Sequence, residues 1–93
     1  MLFAEKIKQL REERQLPQRQ LAAELQIDTA TYCKIERGDR FAKREQVVML
    51  AKLLEAESNA LLSLWLADRI MKTIDGDELA REALMIVEQK IIK

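Results

Sequence analysis

Side chains of this chain that could recognise another molecule lie between residues 29 and 37. They combine hydroxyl groups, small methyl groups and positive charges: Thr29, Ala30, Lys34 and Arg37. Lysine donates to guanine O6 or N7, threonine contacts either base type, and small methyl groups pack on the thymine methyl. Hydroxyls and backbone N–H groups at helix starts bind phosphate. This chemistry suits recognition of a nucleic acid.

Catalytic chemistry is not indicated by the sequence. The chain has no histidine and one cysteine, Cys33, so neither a Ser–His nor a Cys–His pair can form. A glycine-rich phosphate loop and regularly spaced metal ligands are also missing. The segment Asp75-Gly76-Asp77 has too few ligands for a calcium loop and is typical of a turn and a helix cap. We therefore expect a protein that is not an enzyme, with no cofactor and no small-molecule ligand.

The hydrophobic pattern predicts an all-α fold. Apolar residues recur at helical spacing, and the chain contains only two glycines and one proline. Asp28 is expected to cap the third helix by accepting from the N–H of Thr31, and Gly38 is expected to end it in the left-handed conformation. The predicted helices span residues 2–14, 18–25, 28–37, 44–55, 58–73 and 77–92.

The second and third predicted helices form a candidate helix-turn-helix. In the third helix Tyr32 and Ile35 face inwards, and the outward positions are Thr29, Ala30, Cys33, Lys34 and Arg37. A helix held rigidly on its apolar side, with polar groups outside, fits the major groove of DNA. The same pattern also describes a solvated surface on any small helical bundle, so the residues alone leave both interpretations open.

Charge is unevenly distributed along the chain. Sixteen basic and sixteen acidic residues give a net charge of zero, but residues 1–44 carry +3 and residues 45–93 carry −3. A basic N-terminal half and an acidic C-terminal half suit a protein that binds a polyanion through one end. Chance clustering of charged residues gives the same difference in charge. One cysteine rules out an internal disulfide, and neither a long apolar run nor a signal peptide is found. These features predict a cytoplasmic protein without a membrane partner.

Residues 3–66 resemble the phage-repressor/Cro-like (XRE-type) helix-turn-helix family of bacterial transcriptional regulators, which has a compact five-helix domain. The resemblance rests on the segments Lys6–Arg11, Gln18–Ala22, Ile35–Gly38, Leu50–Leu54 and Leu61–Leu62, which have the family spacing. The predicted architecture is a five-helix DNA-binding domain over residues 1–73 with an extra amphipathic C-terminal helix over 77–93.

The resemblance implies roles for individual residues. Gln18 would bind phosphate and brace the recognition helix, and Thr31 would contact phosphate or a base. Base contacts are implied for Thr29, Ala30 and Lys34. Backbone contacts are implied for Arg37, Arg40 and Lys43. Arg11 and Glu36 match an internal salt bridge between the first and third helices, so Arg11 is interpreted as structural.

Three positions depart from the family pattern. Gln26 stands where the family often has glycine in the turn, which predicts a less favourable backbone conformation there. Pro17 replaces the usual serine or threonine cap, whose side-chain acceptor contributes roughly 1 kcal/mol. Cys33 is unusual on a groove-facing surface and is interpreted as a small filler beside the DNA rather than as a redox sensor.

The apolar residues outside the candidate helix-turn-helix predict either a dimer or a terminal helix that folds back onto the domain. The last helix carries an apolar stripe, which needs a covering surface. We favour a homodimer formed by the fifth and last helices, with contacts from Leu64, Trp65, Leu84, Val87 and Ile91. Two DNA-binding heads would also raise affinity through effective concentration.

Together these observations predict a sequence-specific regulator that binds a double-stranded DNA operator as a dimer. Size and family analogy favour control of a restriction-modification or mobile-element locus. The alternative is an antitoxin-like or adaptor module whose last helix docks on another protein. Under that alternative, substitution of Lys34 or Arg37 would be harmless.

Overall fold

A computed structural model describes residues 1–92, which form six α-helices. These are α1 (Leu2–Glu13), α2 (Gln18–Glu24), α3 (Thr29–Arg37), α4 (Arg44–Leu53), α5 (Ser58–Ile74) and α6 (Ala80–Ile92). No strand occurs within these residues. The all-α prediction is confirmed, and the helix ends lie within three residues of the predicted ones.

Helices α1 to α5 enclose one hydrophobic core. Helix α1 packs on α3 and α5, α2 packs on α3, and α4 packs on α5. The largest fully buried side chains are Ile7, Leu21, Tyr32, Ile35, Val47, Leu50, Leu54 and Leu61. Each contributes on the order of 1.5–3 kcal/mol by leaving water. Because α2 and α3 both supply this core, their mutual orientation is fixed.

Helices α1 to α4 share one type of C-terminal ending. After α2, the N–H of Gln26 donates to the carbonyl of Ala23, and the N–H of Ile27 donates to that of Ala22. This Schellman pattern needs a left-handed residue, and the four that supply it are Gln15, Gln26, Gly38 and Glu55. Gln26 has φ of +59°, which confirms the unfavourable turn conformation expected there. Gly38, at φ of +82°, adopts its conformation without that penalty.

The start of α3 is capped as predicted. The Asp28 carboxylate accepts from the N–H of Thr31 at 2.6 Å, and the hydrogen bonds from Thr31 hold the pKa of Asp28 below its ordinary value. Helix α2 begins instead after Pro17, which offers no side-chain acceptor, as the sequence indicated. Helix α3 is therefore capped at both ends, whereas α2 has no side-chain cap at its start.

An unpredicted cap joins the two ends of the domain. Asp68 of α5 is 4% exposed, and its two carboxylate oxygens accept from the N–H groups of Leu2 and Phe3 at 2.8 Å each. A carboxylate at this place satisfies orphan donors and interacts favourably with the helix dipole. Asp68 thus fixes the start of α1 against the middle of α5.

Helix α6 stands apart from this core. It follows a turn in which Asp77 accepts from the N–H of Leu79, and it begins at Ala80, three residues later than predicted. None of its residues that the structure describes is buried, so the helix does not fold back onto the domain. Within residues 1–92 no helix is both long and apolar enough to cross a membrane.

Candidate nucleic-acid interface

A buried carboxylate joins the inner sides of α1, α2 and α3. Glu36 is 6% exposed and accepts two hydrogen bonds from the Arg11 guanidinium, Nε to Oε2 at 2.8 Å and Nη2 to Oε1 at 2.9 Å. The Tyr32 hydroxyl donates to it at 2.7 Å and the Gln18 amide at 3.1 Å. Arg11 also donates to the Leu16 carbonyl at 2.8 Å, which holds the linker between α1 and α2. The network therefore fixes the helix-turn-helix from behind.

Protonation in this network follows from burial and hydrogen bonding. Burial would raise the pKa of Glu36, but the hydrogen bonds from Arg11, Tyr32 and Gln18 outweigh it, and the pKa lies below its ordinary value. The hydrogen bond to Glu36 raises the pKa of Arg11. Burial, reinforced by the bond to Glu36, raises the pKa of Tyr32. Around neutral pH the network consists of a carboxylate, a guanidinium and a neutral phenol.

Gln18 lies between this network and the outer surface. Its amide nitrogen donates to Glu36, and its amide oxygen accepts from the Cys33 thiol at 3.1 Å. An amide nitrogen carries two N–H groups, so one of them is not used by Glu36. Gln18 therefore contacts both Glu36 and Cys33 of α3, and Cys33 is its partner rather than an isolated thiol.

The outer side of α3 presents the side chains that the sequence singled out. Thr29, Ala30, Lys34 and Arg37 are exposed, and Thr31 and Cys33 are half-buried. On the opposite side Tyr32, Ile35 and Glu36 are buried. A nine-residue helix is thus immobilised on one side and free to make contacts on the other.

Further positive charge lies at the C-terminal end of α3 and in the loop that follows. Arg40 and Lys43 are exposed there. Arg37 donates to Asp39 at 3.1 Å, and both side chains are more than half exposed. An exposed pair of this kind is worth little, so a phosphate can replace Asp39 as the partner of Arg37.

Several contributors were not anticipated from the sequence. The bonds that Glu36 receives from Tyr32 and Gln18, and the bond from Cys33 to Gln18, depend on side-chain directions that a pattern of apolar residues does not report. The four-residue spacing of Tyr32 and Glu36 on one helix was the available signal. The pairing of Arg37 with Asp39 had no comparable signal, because it depends on the turn after α3.

One of the five expected dimer contacts lies in the core. Trp65 is 7% exposed, and its indole N–H donates to the Ala42 carbonyl at 2.8 Å, so it belongs to the core. Leu64 is half-buried against the same core. Both lie on the inward part of α5, whereas Leu84, Val87 and Ile91 are exposed on α6.

Comparison with known families agrees with this geometry. The helix-turn-helix domain family matches residues 2–65, which is more than half of the chain. The chain belongs to the helix-turn-helix domain family. Neither curated proteins nor solved structures gave a match. Membership of the helix-turn-helix domain family indicates a DNA-binding regulator, and the match ends within α5, so it does not extend to α6.

Proposed function

We propose that this protein is a sequence-specific regulator of transcription that inserts α3 into the major groove of double-stranded DNA. The observation that carries the proposal is the contrast between the two sides of α3. Tyr32 and Glu36 hold the helix from behind, while Lys34 and its outward neighbours are exposed. A groove-reading helix needs both properties, because flexible side chains on a mobile helix discriminate poorly between bases.

The outward residues divide by chemistry into readers of bases and binders of phosphate. Lys34 donates to guanine, and Thr29 and Ala30 offer methyl groups for thymine. Arg37, Arg40 and Lys43 grip the DNA backbone and carry no sequence information. Thr31 contacts phosphate or a base beside them. The second N–H of the Gln18 amide supplies one further phosphate contact, while its first N–H keeps α3 in place.

The regulator acts as a dimer in this proposal. One domain offers few base and phosphate contacts, and two domains on half-sites roughly 34 Å apart bind with a high effective concentration. Within residues 1–92 we find no domain that could sense a ligand, so the amount of protein and its dimerisation would control occupancy. A restriction-modification or mobile-element locus is the target that size and family analogy favour.

Selection from random DNA duplexes, followed by titration of the selected site, tests the proposal. Lys34→Ala should reduce the preference for one base pair about tenfold to a hundredfold, because a good side chain–base contact is worth about 1–3 kcal/mol. Lys52→Ala is the matched control, since Lys52 is an exposed lysine on α4, outside this surface.

The competing interpretation predicts that the two variants behave alike. An antitoxin-like or adaptor module would show no enriched duplex, and Lys34→Ala would behave as Lys52→Ala does. If the wild type selects a site and Lys34→Ala shows the same base preferences at that site, α3 is not the helix that contacts the bases.

A further inference from the structure

The exposed apolar side chains of this protein are gathered at one end of the chain. Among residues 1–92, thirteen large hydrophobic residues are exposed, and ten of them lie between residues 66 and 92: Leu66, Ile70, Met71, Leu79, Leu84, Met85, Ile86, Val87, Ile91 and Ile92. We call this set the α5–α6 surface. Leu66 lies just before Asp68, the last buried residue of α5, and the other nine residues follow it.

The size of the α5–α6 surface matches what a stable partner requires. Its side chains are between 42% and 75% exposed. Ten such side chains offer on the order of 800 Å² of apolar area, close to the roughly 800 Å² that each partner buries in a standard interface. Monomers rarely leave large apolar areas exposed to water, so this amount of exposed apolar surface on two successive helices indicates a covering partner.

The order of residues on α6 indicates which partner fits. Ala80, Leu84, Val87 and Ile91 follow the alternating spacing of four and three residues that forms a seam between paired helices. When two copies of the seam run antiparallel, Leu84 of one copy meets Val87 of the other, and Ala80 meets Ile91. The small and large residues of each layer then complement each other.

Charges beside the seam select the antiparallel direction. In that arrangement Arg81 of one copy lies next to Glu88 of the other, and two-fold symmetry makes the pair twice. A parallel arrangement places Ala83 next to Glu88 and Gly76 next to Arg81, which gives no ion pair. The two helix dipoles also attract only when antiparallel.

We propose that the α5–α6 surface binds a second copy of this chain, with the two α6 helices antiparallel and paired through Leu84 and Val87. This inference specifies the dimer on which the proposed function rests. Leu66 and Ile70 of α5 are exposed as well and add apolar area to this surface.

Sedimentation equilibrium of the full chain without DNA tests the interface. The wild type should be a dimer at tens of micromolar, and Leu84→Glu with Val87→Glu should make it a monomer, raising Kd at least a thousandfold because two charges enter the seam of each copy. Met49→Glu is the control, because Met49 is 40% exposed on α4 and should leave the mass unchanged. Fluorescence of buried Trp65 reports that helices α1 to α5 stay folded.

Charge reversal tests the direction. Arg81→Glu alone, or Glu88→Arg alone, should raise Kd about tenfold, since each replaces two exposed ion pairs by repulsion. The double variant should return Kd to within about threefold of the wild type. Single reversals without effect would overturn the antiparallel arrangement.

The interface fails if the wild type sediments as a monomer, which is the result expected when another protein covers the α5–α6 surface. It also fails if the dimer survives Leu84→Glu with Val87→Glu. Because no DNA is present, either result leaves the assignment of α3 untouched. Conversely, a dimer that selects no duplex would refute the proposed function and leave the interface standing.

Discussion

At the scale of single residues, Glu36 has the largest number of polar contacts in the helix-turn-helix. It accepts from Arg11, Tyr32 and Gln18, and thereby joins three helices. The pairing of Arg11 with Glu36 followed from the family resemblance. The contacts from Tyr32 and Gln18 did not, because amide and phenol directions depend on how α2 and α3 cross. The sequence therefore predicted the ion pair at the centre of the network, but not the other hydrogen bonds to Glu36.

Replacement of Glu36 should change both stability and its pH dependence. Glu36→Gln should lower the free energy of unfolding by about 3 kcal/mol near pH 7, because it leaves the Arg11 charge partly buried without a carboxylate. The folded-state pKa of Glu36 lies below the ordinary value of 4.5, so its contribution is present above that pH and is lost as pH falls through the folded-state pKa. Urea unfolding between about pH 7 and pH 3 measures both effects.

The free energies of unfolding measured at acid pH supply the control for this prediction. Wild type and Glu36→Gln should become more similar in stability as pH falls below about 4.5, whereas Glu24→Gln, at an exposed position of α2, should follow the wild type throughout. A constant difference between wild type and Glu36→Gln at all pH values would show that the carboxylate charge is not what stabilises the network.

At the scale of elements, the helix ends were the most predictable part of the fold. Asp28 and Gly38 start and stop α3 by local hydrogen bonding and backbone sterics, which depend on neighbours in the sequence. The cap from Asp68 to Leu2 and Phe3 spans most of the domain and leaves no local signal. The same limitation placed Trp65 on a dimer surface, because the pattern shows that α5 is apolar without showing which side meets the core.

The turn between α2 and α3 offers a test of backbone strain. Gln26→Gly should raise the free energy of unfolding by about 0.5–1 kcal/mol, because glycine adopts the left-handed conformation without the side-chain penalty. For a domain of this size, that corresponds to a melting temperature about 2–8 °C higher. Gln20→Gly, at an exposed position inside α2, should instead destabilise the protein by about 1 kcal/mol. Thermal unfolding that shows the same sign for both variants would contradict the turn assignment.

At the scale of the whole molecule, salt dependence should report how many phosphates the protein binds. A dimer that makes roughly eight phosphate contacts should show log K falling against log salt with a slope near −7. Arg40→Ala should weaken binding to all duplexes similarly and make the slope less steep by about one for each copy. Fluorescence anisotropy across a salt series measures this, with Lys52→Ala as the variant that should keep the wild-type slope. An unchanged slope in Arg40→Ala would remove the loop after α3 from the DNA surface.

The covering of α6 is the feature that the sequence could not decide. An amphipathic stripe requires an apolar neighbour, and the stripe is the same whether that neighbour is the parent domain or another chain. The structure excludes the parent domain for the residues it describes, since none of those in α6 is buried. The sequence therefore predicted the apolar stripe of α6, but it did not identify the surface that covers the stripe.

The continuity of α5 has a consequence for the DNA sites that the proposed dimer could accept. The helix runs unbroken for 17 residues, about 25 Å, from the core that holds the reading helix to the apolar end beyond Asp68. The proposed seam lies on α6, beyond the turn at residues 75–79, so the distance and rotation between the two reading helices would be set by that turn together with α5. Each base pair inserted between half-sites turns the second half by roughly 35° around the duplex. The geometry of the turn at residues 75–79 would therefore limit which half-site spacings the dimer accepts.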